Sequence, residues 1–137
     1  MTLTRTTTVA LAFLVAAGCG GGGGDLLSDS AGSRRRMPSC GSYTATESPL
    51  PAQDEAVRQC FLNAAGDGTQ MEVTVTVESM EGDPITTIYR VLGPDDLELF
   101  VDASADKFSP VKTYHQRCTS VAAEGNGLAA GGCVTLA

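Results

Sequence analysis

Met71-Glu72-Val73-Thr74-Val75-Thr76-Val77-Glu78 alternates apolar and polar residues without a break. Strand side chains point to opposite faces with a period of two. Met71, Val73, Val75 and Val77 therefore form an apolar face, and Glu72, Thr74, Thr76 and Glu78 a polar one. A strand of this kind belongs to a sheet that is covered on one side only.

Two further strands come at short intervals. Met80-Glu81-Gly82-Asp83-Pro84 reads as a turn, and Ile85 to Leu92 is rich in β-branched residues. Gly93-Pro94-Asp95-Asp96 turns the chain again, after which Leu97, Leu99 and Val101 alternate. Connections this short predict an antiparallel meander.

Upstream the period changes. Cys40 to Leu50 is rich in Ser, Thr and Pro and reads as a loop. Pro51 suits the first helical position, while Asp54 and Glu55 suit the positive end of a helix dipole. Ala56, Val57, Cys60, Phe61 and Ala64 recur at helical spacing, which places Cys60 on the buried stripe, and Gly66 and Gly68 end the helix. The expected fold is α+β: one N-terminal helix packed on an antiparallel meander of four to five strands, with two disulfides.

Near the C-terminus, Tyr114 to Ala123 and Leu128 to Leu136 flank Glu124-Gly125-Asn126-Gly127. With Gly125-Asn126 as a two-residue turn, opposed positions sum to 251, and Cys118 falls opposite Cys133. This register puts the two cysteines at a hydrogen-bonded pair, where Cα atoms stand further apart than at the alternate sites. The pairing expected is Cys40–Cys60 with Cys118–Cys133, and the other two connectivities stay open at this point.

Glu81-Gly82-Asp83-Pro84-Ile85, the strand after it, and Val101-Asp102 to Asp106-Lys107-Phe108 lie between Cys60 and Cys118. In these motifs the stretch from Cys40 to Cys133 resembles small bacterial lipoproteins of a family without an assigned function. The resemblance implies an envelope lipoprotein with a small α+β domain, and no activity to inherit.

The N-terminus carries a matching signal. Arg5, an apolar stretch from Val9 to Ala17 and the run Leu14-Val15-Ala16-Ala17-Gly18-Cys19 make a lipobox. The apolar stretch of roughly ten residues is about half of what a membrane-crossing helix needs. Residues 1–18 are read as a lipoprotein signal peptide, and Cys19 as the thiol that accepts a diacylglyceryl group. The chain has five cysteines, an odd number, and assigning Cys19 to lipid leaves four for two bridges in an oxidising compartment. Residues 19–39 form a Gly-rich tether with an r.m.s. reach on the order of 25 Å, ending near Arg34-Arg35-Arg36, and residues 40–137 form the disulfide-bonded domain. The expected location is the extracytoplasmic face of the cell membrane, held by lipid.

From Met37 onward the basic residues are Arg58, Arg90, Lys107, Lys112 and Arg117, so the domain is more acidic than the whole-chain charge of -7. That balance argues against nucleic acid, whose phosphates are met by basic patches. A catalytic constellation is not legible. His115 is the single histidine and reads as a surface or satisfied residue, and no serine sits in a nucleophile elbow. Asp102, Ser104 and Asp106 place oxygens at alternate positions, as at the start of a calcium loop. Lys107 then stands where such a loop needs glycine, and Thr113 where it needs glutamate, so an Asx-type turn is expected, with Phe108 dipping into the core. No metal and no cofactor are expected.

The expected function is that of a non-catalytic binding or structural module of the cell envelope. Its partners are the membrane, through the lipid, and a protein, glycan or small-molecule ligand. The alternative reading is an extracellular protease inhibitor or sensor, presenting the Ser42–Pro51 loop braced by Cys40–Cys60; a small envelope enzyme comes third.

Overall fold

The Val-Thr strand lies inside a sheet and not at its margin, because a seven-residue run that reads as polar loop pairs alongside it. A computed structural model describes residues 36–46 and 48–136. The signal peptide 1–18, Cys19 and the tether up to residue 35 lie outside the described residues. In chain order the elements are β1 (Ser39–Ala45), α1 (Ala52–Asp67), β2 (Met71–Glu78), β3 (Pro84–Gly93), β4 (Asp96–Asp102), β5 (Thr113–Cys118), β6 (Ser120–Glu124), β7 (Gly127–Gly131) and β8 (Val134–Leu136). They form a six-stranded sheet of order β1-β2-β3-β4-β5-β8 and a two-stranded sheet of β6 and β7. The class is α+β with a mostly antiparallel sheet.

Two expectations need correcting. The helix is not the first element: β1 precedes it and pairs parallel with β2, with α1 as the crossover. The sheet also has more strands than the four to five expected. Residues 39–45 read as loop because an edge strand with one covered face needs little apolar material; Tyr43 alone is buried there.

Pro51 is the N-cap and not the first helical residue: its ψ of 148° is extended, and its carbonyl accepts the first helical bond, from the Glu55 amide at 2.9 Å. Gly68 closes α1 in the left-handed region (φ 66°), and the Thr69 amide returns to the Ala64 carbonyl at 2.9 Å. Phe61 and Ala64 are buried, with Val57 packed beside them, whereas Cys60 is exposed and not on the buried stripe. The helix is rotated so that Cys60 reaches β1 sideways and closes a bridge with Cys40.

Register gives the sheet an inner face. Val73 lies opposite Tyr89 and Tyr89 opposite Leu99; Val75 lies opposite Thr87 and Thr87 opposite Val101. Phe61, Val73 and Val91 are completely buried, and Phe61 meets the Tyr89 ring edge-on with centroids 6.1 Å apart.

The C-terminal hairpin keeps the expected register throughout. Ser120 opposes Gly131 and His115 opposes Leu136, both sums of 251. Yet it is bent rather than continuous. The outer halves, β5 and β8, stay in the main sheet, while β6 and β7 leave it as an arm over the inner face. The bend falls at Cys118–Cys133, which are bonded with a Cα separation of 4.0 Å, closer than the wide site expected. Gly132 makes the bend possible: its φ is 65°, and a Cβ there would overlap the Thr119 hydroxyl. Leu128 drives it, by burying itself in the core.

Candidate functional site

The arm does not seal the inner face. Between its tip, the end of β1 and the β2–β3 turn lies a half-open cleft of about 830 Å³, within the size range of small-molecule sites. Val75, Val77 and Tyr89 line it from the sheet and Leu128 from the arm. Ala45, Thr46, Ser79 and Met80 also contribute to its walls, as do the carboxylate-bearing Glu78 and Glu124.

Three contacts hold the arm in place. Inside, the Tyr89 hydroxyl donates to the Leu128 carbonyl at 3.1 Å. At the tip, the Asn126 amide donates to the carbonyls of Thr46 at 2.5 Å and Ser48 at 2.6 Å. From the helix, Arg58 donates to the Gly125 carbonyl at 2.6 Å while its other terminal nitrogen pairs with Glu55. The wall of the cleft is thus tied to the sheet, to the segment after β1 and to α1.

The polar groups within differ in how far they are satisfied. Tyr89 is buried, which pushes its phenol up to about 12, and the charges of Tyr114 and Glu124 add to that. Thr87 is nine-tenths buried and lines the cleft. Among the described residues the buried hydroxyl without a hydrogen-bond partner is that of Tyr43, which does not line the cleft. Glu78 and Glu124 have no ion pair among them either, and no Lys or Arg lines the cleft. Nearby, burial pushes Tyr43 up to about 12, with the Arg58 charge pulling the other way.

Asp102, Ser104 and Asp106 are elsewhere, at the end of β4 and in the β4–β5 loop. Asp102 accepts the Ser104 amide at 2.8 Å, an Asx turn; Asp106 accepts the amides of Phe108 at 2.9 Å and Ser109 at 3.2 Å. Both carboxylates serve the backbone, and among the described residues no group of three or more His, Cys, Asp or Glu is placed to hold a metal ion. Phe108 does not dip into the core: it is 73 % exposed, and Ala103 and Asp106 are the buried residues of that loop. The Asp83 carboxylate accepts the Lys107 amide at 3.3 Å and ties the loop to the β2–β3 turn.

His115 lies on the opposite, outer face. Its Nε2 meets Glu98 at 2.9 Å and its ring stacks on Phe100 with centroids 4.2 Å apart. Arg90 lies between Glu72 at 3.4 Å and Glu98 at 3.1 Å, so charges alternate across β2, β3 and β4. The first residues of the Ser42–Pro51 segment are taken up by β1, and Asn126 fastens Thr46 and Ser48 after it.

Sequence reasoning missed the cleft because its walls come from four separate parts of the chain. The one signal was Thr87, a polar residue on the apolar side of a β-branched strand. No described helix is long and apolar enough to cross a membrane. The chain matches no known family model, no curated protein and no solved structure.

Proposed function

We propose that the protein is a lipid-anchored module of the extracytoplasmic cell envelope that binds a small ligand in the cleft under the β6–β7 arm and performs no catalysis. The observation that carries the binding role is the half-open cleft of about 830 Å³ between the arm and the sheet, lined by Val75, Val77, Tyr89 and Leu128. Apolar side chains bordering such a space gain free energy when a ligand covers them. The arm fits the same role, since its position is held by a disulfide at the bend and by side-chain bonds at the tip.

The anchor reading is supported by the cysteines. Cys40 bonds to Cys60 and Cys118 to Cys133, which leaves Cys19 as the one cysteine of five outside these two bridges. Two disulfides in so small a domain suit an oxidising compartment.

Both parts are testable. Cys19→Ala should move the protein from the membrane fraction to the soluble fraction and remove a lipid-sized mass; unchanged membrane retention would reject the anchor. An NMR screen of the purified protein against uncharged, cationic and anionic fragments should yield compounds that shift the amides of Thr87, Tyr89 and Leu128. A screen in which no fragment shifts them would reject the cleft as a binding site.

A further inference from the structure

We infer that Asn126 is a site of spontaneous modification that works as a one-way latch: when the arm lifts, the Asn126 amide is converted to a carboxylate, and the tip no longer fastens. The inference goes beyond the binding role and does not depend on the cleft holding a ligand.

Asn126 and Gly127 follow one another at the tip of the β6–β7 hairpin. Asparagine before glycine brings together the two partners of an intramolecular reaction. The main-chain nitrogen of Gly127 attacks the side-chain carbonyl carbon of Asn126, a C–N bond forms, and ammonia leaves. Water then opens the five-membered succinimide ring. Opening at one carbonyl gives Asp; opening at the other gives isoaspartate, in which the main chain runs through the former side chain. The net change is water in and ammonia out, with no oxidant or reductant. Glycine matters because a Cβ on the attacking residue crowds the ring closure.

The docked arm restrains both partners. The Asn126 amide donates to the carbonyls of Thr46 at 2.5 Å and Ser48 at 2.6 Å. Both of these groups only accept, so the nitrogen and not the oxygen of the amide must face them. Gly127 lies opposite Glu124 as the closing pair of the ladder. While these contacts last, the amide is turned toward the segment after β1 and away from the approach that ring closure needs. Lifting the tip frees it to rotate toward the Gly127 nitrogen.

Neither product restores the latch. Asp presents acceptors to the Thr46 and Ser48 carbonyls, which leaves no donor between them. Isoaspartate adds a main-chain atom inside a two-residue turn and displaces the tip. The bonds from Tyr89 to the Leu128 carbonyl and from Arg58 to the Gly125 carbonyl are untouched, so the arm loosens from its tip.

The chain supplies its own control. Asn63, the other asparagine, precedes Ala64 inside α1, and its side chain accepts from Gln59 at 2.9 Å. The test is peptide mapping by mass spectrometry after prolonged incubation of the purified protein at mildly alkaline pH. Asn126 should convert to Asp and isoaspartate while Asn63 stays an amide. Tyr89→Phe, which removes a bond between arm and sheet, should raise the Asn126 rate several-fold. Gly127→Ala should lower that rate with the arm still docked, since a Cβ there meets the Glu124 carbonyl at 3.6 Å and the Ala45 Cβ at 3.8 Å, ordinary contacts. In the converted protein, amide exchange in β6 and β7 should be faster than before conversion, and exchange in β2 and β3 unchanged. Far-UV circular dichroism checks that each variant is folded. Conversion of Asn126 no faster than of Asn63, or a rate that Tyr89→Phe leaves unaltered, would overturn the inference. So would equal exchange of β6 and β7 before and after conversion, a measurement that needs no variant.

Discussion

The hydroxyl of Tyr89 donates to the carbonyl of Leu128 at 3.1 Å, across 39 positions of sequence, and so joins the middle of the sheet to the arm that roofs it. Both residues are buried. Tyr89→Phe keeps the ring against Phe61 but leaves the Leu128 carbonyl without its donor. The expected loss is about 1–2 kcal/mol, and amide exchange in β6 and β7 should accelerate more than in β2 and β3. Equal acceleration in all four strands would mean that the bond is not what holds the arm.

Burial holds the phenols of Tyr43 and Tyr89 up to about 12, against 10 in the unfolded chain. Between those values the unfolded state loses its protons first, so unfolding is favoured as the pH rises. This contribution to stability is complete below pH 10 and declines as the pH climbs toward 12. Chemical denaturation from about pH 8 to about pH 11.5 should show the decline, and the Tyr43→Phe, Tyr89→Phe double variant should show less of it.

Asn126 holds the arm tip through two carbonyl oxygens, those of Thr46 and Ser48. Asn126→Ala should cost about 1–2 kcal/mol, or a drop in Tm of several degrees for a domain of this size. Asn126→Asp should be worse, because a carboxylate then faces the same two oxygens. Thermal melts of both variants at neutral pH check the order, and protonating the Asp at low pH should reduce the difference.

Two glycines at the end of the same helix should respond in opposite directions. A Cβ on Gly68 would lie 2.7 Å from Pro94 Cγ and 2.8 Å from its nitrogen, with the backbone already at φ 66°. Gly68→Ala is therefore expected to cost about 2 kcal/mol or more. Gly66 is inside α1, and a Cβ added there would meet no atom within 4 Å. Gly66→Ala should gain about 0.5–1 kcal/mol. Urea denaturation of the two variants tests the pair.

What was legible in the chain was whatever a short window contains. Val73 and Val75 declare β2 by alternation, Gly125-Asn126 declares a turn, and a sum of 251 places Cys118 beside Cys133. What was not legible depended on partners far away in sequence. β1 is a strand because β2 offers it an edge, and only Tyr43 betrays an inner face. Cys60 recurs at the spacing of Phe61 and Ala64, but the tie to Cys40 and the packing of Val57 against the core decide which side of α1 is covered. The bend at Gly132 is invisible to a register argument, since register survives it, and without the bend there is no arm and no cleft. Thr87 was visible as a residue and silent as a site for the same reason.

The central claim is that the space between the arm and the inner face is where a ligand sits, and chemical-shift mapping tests it most directly. Titrating the isotopically labelled protein with the compounds found in the fragment screen should perturb the amides of Thr87, Tyr89 and Leu128, and leave Glu98, Phe100 and His115 on the outer face unmoved. Shifts centred on the outer-face residues, with Thr87 and Leu128 unchanged, would contradict the account.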